Sequence, residues 1–259
     1  MSRSIHAAAL LLALVGAAAV HSADKRILVY TRNFTPDGKG YVHQNIASSV
    51  AAIRELGEAN GFAVDVSDSP DVFTSENLKQ YQAIVFSNSN DEAFSNDAQR
   101  EAFQAYIRSG GGFVAIHSAS ASEREWPYYW SVVGGKFVRH PKLQKFLVRV
   151  KNPNHPATAK VPATFEWEDE CYYLDHIRPD IHVLLVTDPA NLEDPRKAEY
   201  PGDHFGDSLP LAWYHTFDGG REFYTALGHK SEHYSDPVLR RHILGGILWA
   251  MGGTKPGKE

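Results

Sequence analysis

Cysteine is almost absent from this 259-residue chain, where Cys171 stands alone. One thiol forms no internal disulfide, so stability has to come from a packed core. There is no repeat, low-complexity tract or linker-like stretch before the last few residues, Thr254–Glu259. An excess of positive charge is lacking too, since 26 Lys and Arg face 31 Asp and Glu for a net charge of −5. That balance leaves no electrostatic footprint for nucleic acid or anionic lipid. The apolar run Ala7–Val20, 14 residues, is too short to span a bilayer comfortably.

The same run has another reading. Arg3 precedes it, and His21, Ser22 and Ala23 follow. A charged start, a uniformly apolar stretch and small residues after it describe a secretory signal. We therefore expect residues 1–23 to be an export signal and 24–259 a single domain, released to a periplasm or the extracellular space with no membrane attachment. Removing the signal takes away Arg3 and no acidic residue, so the net charge moves from −5 to −6. In the whole chain 43% of residues are hydrophobic and 22% charged, which is ordinary for a globular protein.

Periodicity divides the chain in two. Arg26–Arg32, Phe62–Val66, Ala83–Phe86 and Phe113–Ile116 read as short, nearly continuous apolar strands. Between them lie a helix over Val42–Asn60 stopped by Gly61, a short helix over Ser75–Tyr81, and a helix capped by Asn96 or Asp97 and ended by Gly110–Gly112. This βαβαβαβ order predicts an α/β fold, with a mostly parallel sheet covered by helices on both faces. The second half is richer in strand: Phe146–Val150, Val183–Val186, Pro210–His215 and Glu222–Leu227, closed by a helix over Pro237–Met251. Residues 119–210 read as long insertions around the sheet.

Open α/β sheets bind ligands beyond the carboxyl ends of their strands. Those exits deliver His43, Asn88, His117 and His229 to one rim. His117 leaves a buried strand at a sharp turn into the small-residue stretch Ser118–Ser122, the position where other α/β enzymes present a nucleophile. Ser118 lacks the flanking glycines of a G-x-S-x-G elbow. Glu170 and Asp169 are neighbours, and in an extended segment only one faces the crevice; Glu170 is the candidate, against a simple solvated acidic run. Trp213 and His215, at i and i+2, form either a sugar-binding platform or core packing. Arg139 and His140 are candidates for contacts with ligand hydroxyls, although a histidine before Pro141 also shapes a turn.

Segments GGGFVAIHS (110–118), NLKQYQAIVF (77–86), GGKFVRHP (134–141), HPAT (155–158), DECY (169–172), PLAWYH (210–215), GREFYTALGH (220–229) and GGILWA (245–250) together resemble the trehalose-utilisation (ThuA-like) family, in family order. The resemblance implies the fold of class I glutamine amidotransferases. In that wider fold a cysteine occupies the elbow, and a distant His and Glu complete a triad. His117 stands where the cysteine would be, and His229 with Glu232 resembles the His and Glu at looser spacing. Thiolate-dependent amidotransferase chemistry is therefore not expected. Cys171 lies where the family more often has tryptophan.

Family context implies catabolism of disaccharides and other glycosides, in systems that oxidise the sugar at C3. Such chemistry needs a base, an acid and a group that polarises the carbonyl. The expectation is an enzyme acting on a sugar or 3-keto-glycoside by elimination, hydrolysis or isomerisation. His117, His229, Glu232 and Glu170 would be catalytic, and His43, Asn88, Arg139, Trp213 and His215 would bind substrate. A divalent metal on His43, His117 and His229 would do the polarising, although their spacing lacks a compact signature such as H-E-x-x-H. The competing reading is a non-catalytic carbohydrate-binding module using the same crevice; a third is a scaffold domain whose crevice is vestigial.

Overall fold

The computed structural model describes residues 25–196 and 208–253, so the expected export signal at 1–23 lies outside the described residues. The first half contains strands β1 (Arg26–Tyr30) and β2 (Asn33–Phe34), helix α1 (Ile46–Asn60), β3 (Ala63–Ser67), α2 (Ser75–Leu78), β4 (Ala83–Ser87), β5 (Asn90–Asp91), α3 (Asp97–Arg108) and β6 (Gly112–Ile116). The second half adds α4 (Pro127–Val133), β7 (Lys136–Arg139), β8 (Gln144–Val150), β9 (Thr164–Asp169), β10 (Tyr173–Asp175), β11 (His182–Thr187), β12 (Leu209–Phe217), β13 (Gly220–Thr225) and α5 (Pro237–Ala250).

Nine strands make one sheet in the order β3-β1-β4-β6-β13-β12-β11-β8-β9. The first five pair in parallel, and the remaining pairings are antiparallel. Only β12 and β8 therefore run against the common direction, so the sheet is mostly parallel. Two short pairs, β2 with β5 and β7 with β10, lie apart from it.

The apolar runs of the first half follow from burial on both faces. Ile27, Val29, Val85, Val114 and Ile116 pack with Ile53 and Leu56 of α1 and Ile243 and Ile247 of α5. Leu28, Tyr30, Ile84, Phe86 and Phe113 belong to a second core with Leu78, Phe103, Ile107 and Tyr129 of α2, α3 and α4. Successive strand residues point to opposite faces, so a strand covered on both has no polar position left. No helix among the described residues is long and apolar enough to cross a membrane.

Several boundaries moved for physical reasons. The helix expected from Val42 starts at Ile46, because residues 42–45 are drawn into the strand exits and the Asn45 amide bonds elsewhere. Gly61 closes α1 at φ 72°, and the Asn96 side chain accepts from the Gln99 N–H to cap α3. Sequence reading missed α4 and the strands β2, β5, β7, β9 and β10. The signals for α4 were present, Pro127 in its first turn and Gly134 at φ 91° after it, inside a stretch read as insertion.

Candidate functional site

Strand β6 sits between β4 and β13 and runs directly into His117, which adopts φ 53° at the turn into a short 3-10 segment. A non-glycine residue held in the left-handed region is strained unless its surroundings over-determine it. Here they do. The His117 Nδ1–H donates to the Ala226 carbonyl at 2.7 Å, and the His117 carbonyl accepts from the Ser120 hydroxyl. A carbonyl cannot donate, so this bond places the proton on Nδ1 and leaves Nε2 with a free lone pair. Nε2 accepts from the Tyr172 hydroxyl at 2.8 Å and lies 3.6 Å from Glu170 Oε2.

Three further side chains converge there. His229 follows the neighbouring strand β13, and its Nδ1 is 3.2 Å from the same Glu170 oxygen, in ion-pair contact but off the hydrogen-bond line. His43 precedes α1, with Nδ1 3.2 Å from Ser118 Oγ and with Nε2 buried and unpartnered. Ring centroids are 4.9 Å apart for His43–His117, 5.3 Å for His43–His229 and 5.4 Å for His117–His229. One donor atom each from His43, His117, Glu170 and His229 lies within 4.8 Å of all the others. Donors at about 2.0–2.2 Å around a tetrahedral ion stand roughly 3.5 Å apart, so small side-chain adjustments would close this set on one. Three imidazoles and a carboxylate suit a first-row divalent ion, and the His117 bond to a backbone carbonyl is the outer-shell support that such ligands use.

The electrostatics agree with this chemistry. Burial, reinforced by the charges of His117 and His229, pushes the His43 pKa down to about 3, so the ring is neutral at neutral pH and keeps one nitrogen lone pair for a ligand. Burial opposes ionisation of Glu170, but the contacts with His117 and His229 and the charge of His140 outweigh it and hold the carboxyl well below the usual range. The Glu170 carboxylate raises the His229 pKa above its ordinary value.

A cavity of about 270 Å³ reaches His43 and Glu170 of the cluster and is lined also by Tyr41, Asn90, Ser118, Ala121, Arg124, Phe137, His140 and Tyr172. Tyr41 is exposed at the mouth, edge-on to His43. His140 donates from Nδ1 to the Pro141 carbonyl and holds Nε2 3.6 Å from Glu170 Oε1. Behind the cluster the Asn45 amide donates to Asn88 Oδ1 and to the Gly228 and His229 carbonyls. Asp169, buried on the other side of its segment from Glu170, accepts from the Gly228 N–H and the Trp167 indole.

Of the residues read from sequence, His43, His117, His229 and Glu170 are brought together, and five are not. Glu232 is largely exposed and lies 3.8 Å from Lys230, so Glu170 takes the place beside His229 that Glu232 was expected to hold. Asn88 is fully buried and bonded to Asn45 and Tyr234; it braces the site without reaching the cavity. Arg139 forms a two-pronged ion pair with Asp194 and lies over Tyr173. Trp213 and His215 are core groups, donating to the Val133 and Ser131 carbonyls around Gly134. Sequence reading missed Tyr172, Tyr41 and Arg124. Tyr172 sits in the DECY segment one residue beyond Cys171 and two beyond Glu170, and that spacing was its only signal.

The trehalose-utilisation family model, ThuA, matches residues 26–250. A ThuA-like protein from Bacteroides uniformis is 22% identical, with a TM-score of 0.66 over 88% of this chain and 91% of that one. Another from Parabacteroides merdae is 19% identical, with a TM-score of 0.67 over 91% and 92%. A β-galactosidase from Rahnella sp. R3 contains a similarly folded portion, 14% identical with a TM-score of 0.55, covering 89% of this chain and 32% of that one. Among curated proteins, none matches this chain.

Proposed function

Because the chain belongs to the trehalose-utilisation (ThuA) family, we propose that it is an exported, metal-assisted enzyme of carbohydrate catabolism that acts on a 3-keto-glycoside. The observation that carries this reading is the convergence of His43, His117, Glu170 and His229, one donor atom of each within 4.8 Å of the others, with His43 and Glu170 lining one cavity. A divalent ion held by them would polarise the C3 carbonyl.

A ketone at C3 acidifies the C2–H. Removing that proton while the C1–O bond breaks forms a C1–C2 double bond, and the departing oxygen takes up a proton. Water attack at C1 would then complete a net hydrolysis. His140 is suited to take the C2 proton. It lies outside the ligand set, lines the cavity, and has its Nδ1–H committed to the Pro141 carbonyl, which leaves Nε2 as an acceptor. Tyr172 donates its one O–H to His117 Nε2; an ion bound at that nitrogen would release the O–H to donate to developing negative charge. Thiolate chemistry finds no support, because burial pushes the Cys171 thiol far up and keeps it protonated.

The test is NMR of the purified protein mixed with 3-keto-disaccharides and their unoxidised parents, with and without Zn²⁺ or Mn²⁺. The expected result is metal-dependent consumption of the keto forms alone, lost in His117→Ala. Turnover that survives His117→Ala would overturn the assignment, and saturable binding without turnover would make the chain a carbohydrate-binding module. Export rests on Arg3, the apolar run Ala7–Val20 and the small residues after it. N-terminal sequencing of the mature protein from periplasmic and culture fractions tests it, and an intact Met1 in the cytoplasm alone would refute it.

A further inference from the structure

Two hydroxyl groups in the cavity wall bond to rings of the cluster, Ser118 to His43 and Tyr172 to His117. Building on the metal-assisted reading above, we infer that these two residues position the ligand rings with opposite effects. Ser118 fixes His43 as a ligand and favours ion binding, whereas Tyr172 caps His117 and opposes it.

The argument for Ser118 is one of tautomers. Its Oγ lies 3.2 Å from His43 Nδ1, and both residues are buried. A neutral imidazole carries one N–H and one lone pair. If the hydroxyl donated to Nδ1, the ring proton would sit on Nε2, which is buried without a hydrogen-bond partner. A buried N–H with no acceptor costs free energy, and an N–H cannot ligate. With the proton on Nδ1, His43 donates to Ser118 Oγ and keeps the Nε2 lone pair for an ion. A ligating histidine whose other N–H is held by an oxygen has its tautomer and ring orientation fixed.

His117 is arranged the other way. Its Nδ1–H is committed to the Ala226 carbonyl at 2.7 Å, so Nε2 is the one nitrogen it can offer. The Tyr172 O–H donates to that nitrogen at 2.8 Å, and an ion can take Nε2 only by displacing this bond. The Tyr172 ring need not move for this. It packs against His117, Phe137 and His140, with centroids 4.3, 4.5 and 5.6 Å away. Neither hydroxyl has another hydrogen-bond partner among the described residues. Ion binding therefore leaves both O–H protons to oxygens of a ligand in the cavity, so that loading the ion prepares the cavity for its ligand.

The test is calorimetric zinc titration of the purified wild-type protein, Ser118→Ala and Tyr172→Phe, each variant lacking a single oxygen and keeping the remaining packing. Zinc affinity should fall about 10–100-fold in Ser118→Ala, the range seen when outer-shell partners are removed. It should rise roughly 2–10-fold in Tyr172→Phe, the net worth of one hydrogen bond. Long-range proton–nitrogen NMR correlations of the zinc-loaded wild-type protein should show His43 protonated on Nδ1 and metal-bound at Nε2, a signature that a purely structural role for Ser118 would not set. Unchanged or raised affinity in Ser118→Ala, unchanged or lowered affinity in Tyr172→Phe, or zinc on His43 Nδ1 would overturn the inference while leaving the metal reading intact. Failure of the wild-type protein to bind zinc would overturn both.

Discussion

At the scale of single residues, burial decides which titratable groups serve chemistry and which tax stability. His117 and Glu222 are both essentially inaccessible. His117 has a partner for each ring nitrogen, whereas neither Glu222 carboxyl oxygen makes a hydrogen bond. Burial therefore raises the Glu222 pKa to about 9, with the backbone at Phe217 and the charges of Arg178 and Arg221 opposing only in part. The folded state then holds a proton that the unfolded chain releases near its ordinary value. Stability from this group is full below that ordinary value and is lost as pH rises toward 9. Glu222→Gln should raise the melting temperature by several degrees at pH 8 and change it little at pH 4.5; thermal melts at both pH values check it. His229 gives the opposite trend for metal loading. Glu170 raises its pKa, so protons compete with the ion, and loading should weaken as pH falls through that raised value. Zinc titrations across pH should show this, and Glu170→Gln should lower affinity by at least tenfold throughout.

At the scale of elements, the site depends on how loops are tied to strand ends. Gly228, at φ 124°, lets the exit of β13 pass beside the Tyr234 hydroxyl, and its N–H is held by Asp169. Asn45 gathers the exits of β4 and β13 with one amide. Asn45→Ala keeps every ligand but frees the His229 segment, so zinc affinity should fall about 10–100-fold, the range seen when outer-shell partners are removed; calorimetric titration measures it. Helix α5 shows how closely elements pack away from the site. A Cβ at Gly245 would stand 2.2 Å from the Pro156 carbonyl oxygen, so the helix meets the 152–158 turn backbone to backbone. Gly245→Ala should destabilise by about 1–3 kcal/mol or more, measured by urea denaturation.

At the scale of the whole molecule, the four candidate ligands come from segments spread from residue 43 to residue 229, and they exist as a set only in the folded chain. An ion that binds the native state alone must stabilise it. Zinc at 100 times its Kd should therefore add about 2.7 kcal/mol and raise the melting temperature, and a chelator should reverse the effect. The triple variant His43→Ala, His117→Ala, His229→Ala should show neither response in a thermal-shift assay.

Local periodicity was enough to read the doubly covered half of the sheet, because strands buried on both faces admit only apolar residues and helices between them keep a 3.6-residue rhythm. It also placed His43, His117 and His229 on one rim, since parallel strands deliver their exits to the same side. Glu170 was legible only as one of two adjacent carboxylates, and the bonds of Asp169 to Gly228 and Trp167 decided which faced inward. Nothing local separated Glu232 from the site; its distance is set by the 3-10 turn Ser231–Ser235, which leaves the side chain in solvent. Trp213 and His215 share a strand face, as alternation required, but tertiary packing against Gly134 made that face core. The sequence by itself thus determined the α/β architecture and the rim. Which side chains meet there was decided by long-range hydrogen bonds between segments far apart in the chain, because direction and distance across loops leave no period to read.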